Sequence, residues 1–282
     1  MKKVALCLSG HARTYESTYW FWKNNLMSLY PTDVFIHLWD TVGPRSFGQD
    51  RTERNPLPRD DFDSGIIRSA KLDIDHIVNM WNPIAITVEQ YEPMHNIFSE
   101  LVNPVIEERN RRGIPAGFEH HHPLSVRSML YKRYRCNEMK TQFERDHHFT
   151  YDLVIQSRTD VALTQPIIDD VWVDRTNLYF HNCRSITPDP EINDFGAMGT
   201  SNQVDLWCNL YNKVDGVFNR IKQEDNFFKF LNPHKMYVQY LSQEGQSYKE
   251  LDIGLSIVRD SGIVLGWPHA QKLIKETVFH ES

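Results

Sequence analysis

The chain has 282 residues, 40% of them hydrophobic and 24% charged, with 13 Gly and 14 Pro; this balance suits one large α/β domain or two small ones and excludes disordered, collagenous and low-complexity architectures. Against 37 Asp and Glu stand 31 Lys and Arg, a formal net charge of −6, so no global field draws the protein to nucleic acid or to anionic lipid. Any anionic ligand must be met by local cations.

After Met1-Lys2-Lys3, the apolar run Val4-Ala5-Leu6-Cys7-Leu8 stops at Ser9-Gly10. It is shorter than the roughly 7–15 apolar residues of a signal sequence and far shorter than the about 20 of a membrane span. It reads instead as a buried central strand ending in a turn, in a protein expected to be cytoplasmic. The cysteines Cys7, Cys136, Cys183 and Cys208 form no C-x-x-C pair, which favours free thiols over a disulfide framework or a thiolate zinc site.

From Thr14 to Tyr30, Tyr15, Tyr19, Trp22, Leu26 and Leu29 recur at three- and four-residue spacing until Pro31, which predicts a helix. Asp33-Val34-Phe35-Ile36-His37-Leu38-Trp39-Asp40 is a second buried strand, so the chain opens with a βαβ unit of right-handed crossover. Residues 41–70 are rich in Gly, Pro, Arg and Asp without periodicity, the mark of a functional loop. A short helix over 71–80, a strand over 84–89 and a polar helix over 94–112 follow, the last ending at Gly113. Pro123 to His147 carries the longest helical signal, with Leu124, Met129, Leu130, Tyr134, Met139 and Phe143 as candidate buried positions, and feeds a fourth buried strand, Asp152-Leu153-Val154-Ile155. Less tidy elements follow at 178–181 and 195–198, with helices expected at 201–221 and 233–241 and a strand at 253–258. With no internal repeat and no linker-like stretch, the chain reads as a single α/β domain spanning 1–282. Its central sheet is mostly parallel and flanked by helices, with a C-terminal elaboration; a separate unit starting near residue 165 is the alternative.

Open α/β sheets bind ligands outside the carboxyl ends of their parallel strands, and those ends are polar here. The first strand delivers Ser9-Gly10-His11-Ala12-Arg13: backbone N–H groups, a hydroxyl, an imidazole and a guanidinium at a helix start, which suit a phosphate or a base edge. Neither G-x-G-x-x-G nor a Walker lysine is present, so neither a dinucleotide fingerprint nor a P-loop is indicated. The second strand ends in Trp39-Asp40 and the fourth runs into Gln156-Ser157-Arg158-Thr159-Asp160. A third polar knot, Asn193-Asp194-Phe195-Gly196-Ala197-Met198-Gly199-Thr200-Ser201, sets a carboxylate before a small-residue strand and a helix cap.

Other charged clusters read as surface. Asp61-Phe62-Asp63 and Asp73-Ile74-Asp75 do not follow buried strands. Glu119-His120-His121-His122 and Asp146-His147-His148 lack the H-x-x-x-H spacing of a helical metal site. Arg109, Arg111, Arg112, Arg133 and Arg135 read as solvated helix faces.

Leu8-Ser9-Gly10-His11-Ala12-Arg13-Thr14-Tyr15, followed by the strand from Asp33 to Asp40, resembles the opening of bacterial and viral glycosyltransferases of the GT-A type, which build surface polysaccharides or lipopolysaccharide. Those proteins also carry a segment of the form Tyr-Asp-x-Val-Ile-Arg-x-Arg-x-Asp and a later Asp-x-Phe-x-x-Gly-Ser-like knot. Their counterparts here run from Tyr151 to Asp160 and from Asp194 to Ser201. The resemblance spans roughly residues 4–210 and rests on four short motifs in order. It implies a single GT-A-like, Rossmann-like domain, with a nucleotide-binding half over about 1–160 and an acceptor-side half over about 161–282. It also implies a nucleotide-sugar donor, a glycan or other hydroxyl acceptor, and hexosyl or deoxyhexosyl transfer.

In its terms Ser9, Gly10, His11 and Arg13 hold the nucleotide and its phosphates and Asp40 meets the base or ribose. Arg158 and Asp160 manage the diphosphate, and Asp194 serves the acceptor side, as general base if the reaction inverts. Two departures stand out. Gln156 occupies the first Arg of the pattern, and Arg158-Thr159-Asp160 stands where GT-A enzymes carry the Asp-x-Asp that holds Mn²⁺ or Mg²⁺ on the diphosphate. Either Asp160 still binds the divalent ion, or Arg158 neutralises the leaving diphosphate without one. Two other classes compete: a different nucleotide-dependent transferase such as a sulfotransferase, and a non-catalytic nucleotide- or sugar-binding module.

Overall fold

The computed structural model describes residues 2–43, 72–113, 123–182, 192–221 and 233–258. Most of the loop expected over 41–70, Asp61-Phe62-Asp63, Glu119-His120-His121-His122 and Cys183 lie outside the described residues.

Seven strands form one sheet: β1 (Val4–Gly10), β2 (Thr32–Trp39), β3 (Ala85–Glu89), β4 (Leu153–Arg158), β6 (Leu178–His181), β7 (Gly196–Gly199) and β8 (Tyr248–Leu251). Their order is β3-β2-β1-β4-β7-β6-β8. Strand β1 lies between β2 and β4, parallel to both, with Ser9 opposite His37 on one side and Arg158 on the other. Only β7 runs against the rest, antiparallel to β4 and β6, while β8 is again parallel to β6. Two short strands, β5 (Val161–Leu163) and β9 (Leu255–Ile257), form a separate antiparallel pair. The domain is a Rossmann-like α/β sheet, mostly parallel and flanked by helices.

The unbroken apolar run of β1 is buried on both faces, as a central parallel strand requires. On one face Ala5, Cys7, Phe35 and Val154 pack against helix α4 (Pro123–His147). On the other, Val4, Leu6, Leu8, Ile36 and Ile155 share a core with Tyr15 and Trp22 of α1 (Tyr15–Trp22) and Ile77 and Trp81 of α2 (Ile74–Trp81). Two further helices, α3 (Tyr91–Arg111) and α5 (Asp169–Val173), precede and follow these layers. Among the described residues no helix is long and apolar enough to cross a membrane. Cys7, Cys136 and Cys208 are buried free thiols.

Several boundaries differ from expectation for local reasons. The helix expected over 14–30 ends as α1 at Trp22 and continues as a π turn, Lys23–Met27. Trp22 Nε1 donates to the Val161 carbonyl at 2.7 Å, and Asn25 Nδ2 to that of Leu163 at 2.7 Å, which fastens the segment to β5. The helix expected over 201–221 is two, α6 (Ser201–Cys208) and α7 (Leu210–Ile221), parted at Asn209. After it comes α8 (Pro233–Gln243). Strands β5 and β8 and helix α5 were not expected at all, being too short for a period to show.

Helix α4 has the expected bounds but a different buried face. Lys132, Arg133, Asn137, Lys140 and Glu144 are buried, whereas Met129, Tyr134, Met139 and Phe143 are only half-buried. Lys140 Nζ reaches Glu144 at 3.0 Å and Asp205 at 2.7 Å, and Glu144 accepts the Tyr151 N–H at 2.9 Å and the Ser201 hydroxyl at 2.8 Å. Arg133, expected on a solvated face, lies in the core: it donates to the Tyr237 hydroxyl and to the Asp194 carbonyl, with its guanidinium 4.8 Å from the Trp207 ring centre. Arg111 and Arg112 pair with Glu108, and Arg135 with Glu138, as surface arginines do.

Candidate functional site

Strand order turns at β1 and β4: β2 and β3 build to one side, β7, β6 and β8 to the other. Such a switch point opens a crevice at the carboxyl ends of its two strands. The turn after β1 and the turn after β4 meet there. Thr159 Oγ1 donates to the His11 carbonyl, and Thr18 Oγ1 to that of Thr159 at 2.7 Å. The Val258 N–H caps the Asp160 carbonyl at 2.8 Å.

The first turn needs unusual backbone. Gly10 has φ +114°, and Arg13 has φ +46°, the left-handed region that L residues occupy only at a cost. The Arg13 N–H donates to the Val42 carbonyl at 2.7 Å, and His11 Nδ1 lies 3.0 Å from Thr41 Oγ1. Gly43, at φ +75°, packs so closely that a Cβ there would lie 2.5 Å from His11 Cβ. Burial, and then the neighbouring Arg13 charge, pushes the His11 pKa down to about 3, so the imidazole is neutral near pH 7 and contributes hydrogen bonds rather than charge.

Arg13 Nη1 meets Asp160 Oδ2 at 2.7 Å. Arg158 takes the same carboxylate in a fork, Nε to Oδ1 at 2.8 Å and Nη2 to Oδ2 at 2.6 Å. Asp160 is fully buried beneath the two guanidiniums. Burial opposes the charge on both arginines; at Arg158 the Asp160 carboxylate, helped by Asp194, outweighs it and raises the pKa. At Arg13 burial prevails and the pKa is lowered.

Asp194 lies two residues before Gly196, which pairs with Ser157 of β4, so it stands at the same end of the sheet as the expected crevice. It is 5% exposed, and its charge is felt by both Arg13 and Arg158 although it lies more than thirty residues from either in the chain. Asn193 Oδ1 accepts the Phe195 N–H at 2.8 Å and shapes the entry to β7. Gly196 allows β7 to approach β4, since a Cβ there would lie 2.5 Å from the Gln156 carbonyl oxygen. The cap of α6 is Thr200 with Gln203, a reciprocal capping box, so Asp194 does not serve as that helix's N-cap.

Two expected contacts fall elsewhere. Ser9 is buried, and its hydroxyl accepts from Gln156 Nε2 at 2.9 Å. Strand alternation turns Ser9 and Gln156 toward the α4 face, so Ser9 belongs to the support of the crevice and Gln156 fills the place of the expected arginine from below. Asp40 is exposed at the end of β2, and its Oδ1 accepts the Tyr91 N–H at 2.9 Å, which ties β2 to the start of α3. Asp40, Thr41, Tyr91, Glu92, His95 and Asn96 line a shallow cleft, joined to the first turn by the Tyr91 ring, 5.2 Å from that of His11.

The sequence reading missed Tyr91 and the group behind it. Lys132 Nζ lies 3.5 Å from the Trp39 ring centre and donates to the Leu38 carbonyl and to Glu89, each at 2.9 Å. Tyr131 donates to Glu89 at 3.0 Å, and His37 sits 3.8 Å from the same carboxylate. The signal available was the row of polar residues at helical spacing along α4.

The GT-A resemblance implies a divalent ion on the diphosphate, held by carboxylates. Both Asp160 oxygens already accept guanidinium donors, and among the described residues no three His, Cys, Asp or Glu side chains form a group able to hold a metal. The donor set among the described residues does not fit an Mn²⁺ or Mg²⁺ site. Asp73, of the other Asp-x-Asp string, accepts the His76 N–H at 2.9 Å as the N-cap of α2. No protein-family model matches the chain, and no curated protein matches it either.

Proposed function

We propose that the protein is a glycosyltransferase that moves a sugar from a nucleotide-sugar donor to a hydroxyl of a glycan or other acceptor. The observation that carries this reading is the convergence of Arg13 and Arg158 on one buried carboxylate at the β1/β4 switch point, with the second carboxylate of Asp194 beside them. Paired guanidiniums recognise phosphate oxygens by directed N–H donors. A leaving diphosphate between them has its developing charge stabilised, while a carboxylate on the far side can take the proton of an attacking hydroxyl. In this reading Gly10, His11 and Arg13 hold the donor's phosphate end. Asp40 and the adjoining cleft receive its nucleoside end, Arg158 stabilises the leaving group, and Asp194 acts on the acceptor side.

The test has two arms. A thermal-shift panel of UDP-, GDP-, CMP- and dTDP-sugars, with a phosphoadenosine-sulfate donor as control, should show stabilisation by a nucleotide sugar, and Arg13→Ala should weaken that ligand by about tenfold or more. Asp194→Asn should cut turnover by roughly 100-fold or more while leaving donor affinity and melting temperature close to wild type. Stabilisation by the sulfate donor alone, or an Asp194→Asn protein that melts early and turns over normally, would refute the assignment.

A further inference from the structure

The arginine pair departs from the carboxylate pair that the GT-A resemblance implies, and the departure has a chemical consequence. We propose that the crevice binds the diphosphate of its nucleotide without a divalent cation, on Arg13 and Arg158, with Asp160 as the residue that positions both guanidiniums. The inference rests on the donor reading above and concerns how the same site holds its anion.

A metal-binding carboxylate must offer an oxygen to an ion at about 2.0–2.6 Å. In Asp160, Oδ1 accepts from Arg158 Nε at 2.8 Å, and Oδ2 accepts from Arg158 Nη2 at 2.6 Å and Arg13 Nη1 at 2.7 Å. A cation there would have to enter a carboxylate that is 0% exposed and already takes three guanidinium N–H donors, and it would bring two positive charges next to two that are already present. Breaking a buried fork of this kind leaves an uncompensated charge, among the costlier changes in a protein.

Exposure sorts the three side chains by role. Asp160 is sealed at 0%, whereas Arg13 and Arg158 are 22% and 18% exposed. The cluster therefore shows its cationic side to the crevice and keeps its anion beneath. The buried carboxylate fixes the guanidinium planes in advance, so that little side-chain freedom remains to be lost when phosphate arrives.

Arg13 supplies an independent indication. Its left-handed backbone at φ +46° is the conformation that Gly adopts at ease and Arg does not. The strain is held by the bond to the Val42 carbonyl at 2.7 Å, and it delivers the guanidinium to a carboxylate 147 positions along the chain. Strain kept by surrounding structure at a strand end is a sign of a functional position.

Calorimetry on the full chain decides the matter. The probe is whichever of UDP, GDP, CDP and dTDP raises the melting temperature most, titrated in EDTA and again with saturating Mn²⁺. The expected result is two dissociation constants within about twofold of each other, and Mn²⁺ alone, followed by its EPR signal, that stays free. Arg158→Lys, which keeps the charge and loses the fork, should weaken the nucleotide about tenfold in EDTA. Asp160→Asn should weaken it by a similar factor; if that variant does not fold, the wild-type metal series and Arg158→Lys still decide. Binding seen only with Mn²⁺, or stoichiometric Mn²⁺ binding that Asp160→Asn abolishes, overturns the metal-free clamp while leaving the nucleotide-sugar reading standing. Absence of nucleotide binding in both conditions overturns the clamp and that reading together.

Discussion

Replacing His37 by Phe should flatten the acid limb of the protein's stability. His37 lies on β2, 1% exposed, and neither ring nitrogen has a hydrogen-bond partner among the described residues. Its pKa is pushed down to about 2, by burial first and then by the charges of Lys132 and Arg135. The unfolded chain takes up a proton there near 6.5, so a histidine held neutral in the fold stabilises fully above that value. The contribution falls as pH drops below it, by about 1.4 kcal/mol per pH unit until the folded pKa is reached. Between pH 7 and pH 5 the loss integrates to about 2 kcal/mol. His11, pushed down to about 3, titrates in the same window, but it is present in both proteins and cancels in the comparison. Any packing cost of the larger ring is the same at each pH and also cancels. Urea unfolding at pH 7, 6 and 5 should show wild type losing about 2 kcal/mol more than His37→Phe across that range. Parallel pH profiles would refute the argument, because they would mean that His37 protonates in the fold as readily as outside it.

Two further predictions concern the frame around the crevice. Gly196→Ala places a Cβ 2.5 Å from the Gln156 carbonyl oxygen; backbone must move, and chemical denaturation should show a loss of about 2 kcal/mol or more, whereas wild-type stability would refute the close packing of β7 on β4. Arg133→Met keeps length and removes the donors to the Asp194 carbonyl and the Tyr237 hydroxyl. It should cost about 3 kcal/mol in the same assay, and a loss below about 1 kcal/mol would show Arg133 to be dispensable to the core.

The strands at the centre of the sheet were legible because they obey one rule. Val4 to Leu8, Asp33 to Trp39 and Leu153 to Ile155 are unbroken apolar runs, which a strand covered on both faces requires. Helix α4 was legible in extent and not in orientation. Its periodicity is carried by Met129, Tyr134, Met139 and Phe143 as well as by Leu124 and Leu130, but the face that meets the sheet bears Lys132, Arg133, Asn137 and Lys140. Each of these is compensated by a partner distant in the chain, Glu89, Asp194 or Asp205, and Lys140 also by Glu144 one turn on. A hydropathy pattern registers the charge and cannot register the compensation, so it assigns such residues to solvent.

The same limit decides which parts of the candidate site could be read in advance. Arg13, Arg158, Asp160 and Asp194 are polar residues just beyond strand ends or just before a strand start, so the topology alone brings them to one crevice. Position is all that the rule supplies. Ser9 is one residue short of the turn, and a period of two sends its hydroxyl to Gln156 behind the sheet. Asp160 matches the place of a metal-binding carboxylate, yet its chemistry is set by Arg158 and by Arg13, which arrives from the left-handed turn after β1. Among the described residues Asp40 meets no guanidinium; it spends one carboxylate oxygen on the first N–H of α3 and so fixes Tyr91 at the edge of the crevice. What a carboxylate at a strand end can bind is therefore decided less by its place in a motif than by whether a cation from elsewhere in the chain has already been brought against it.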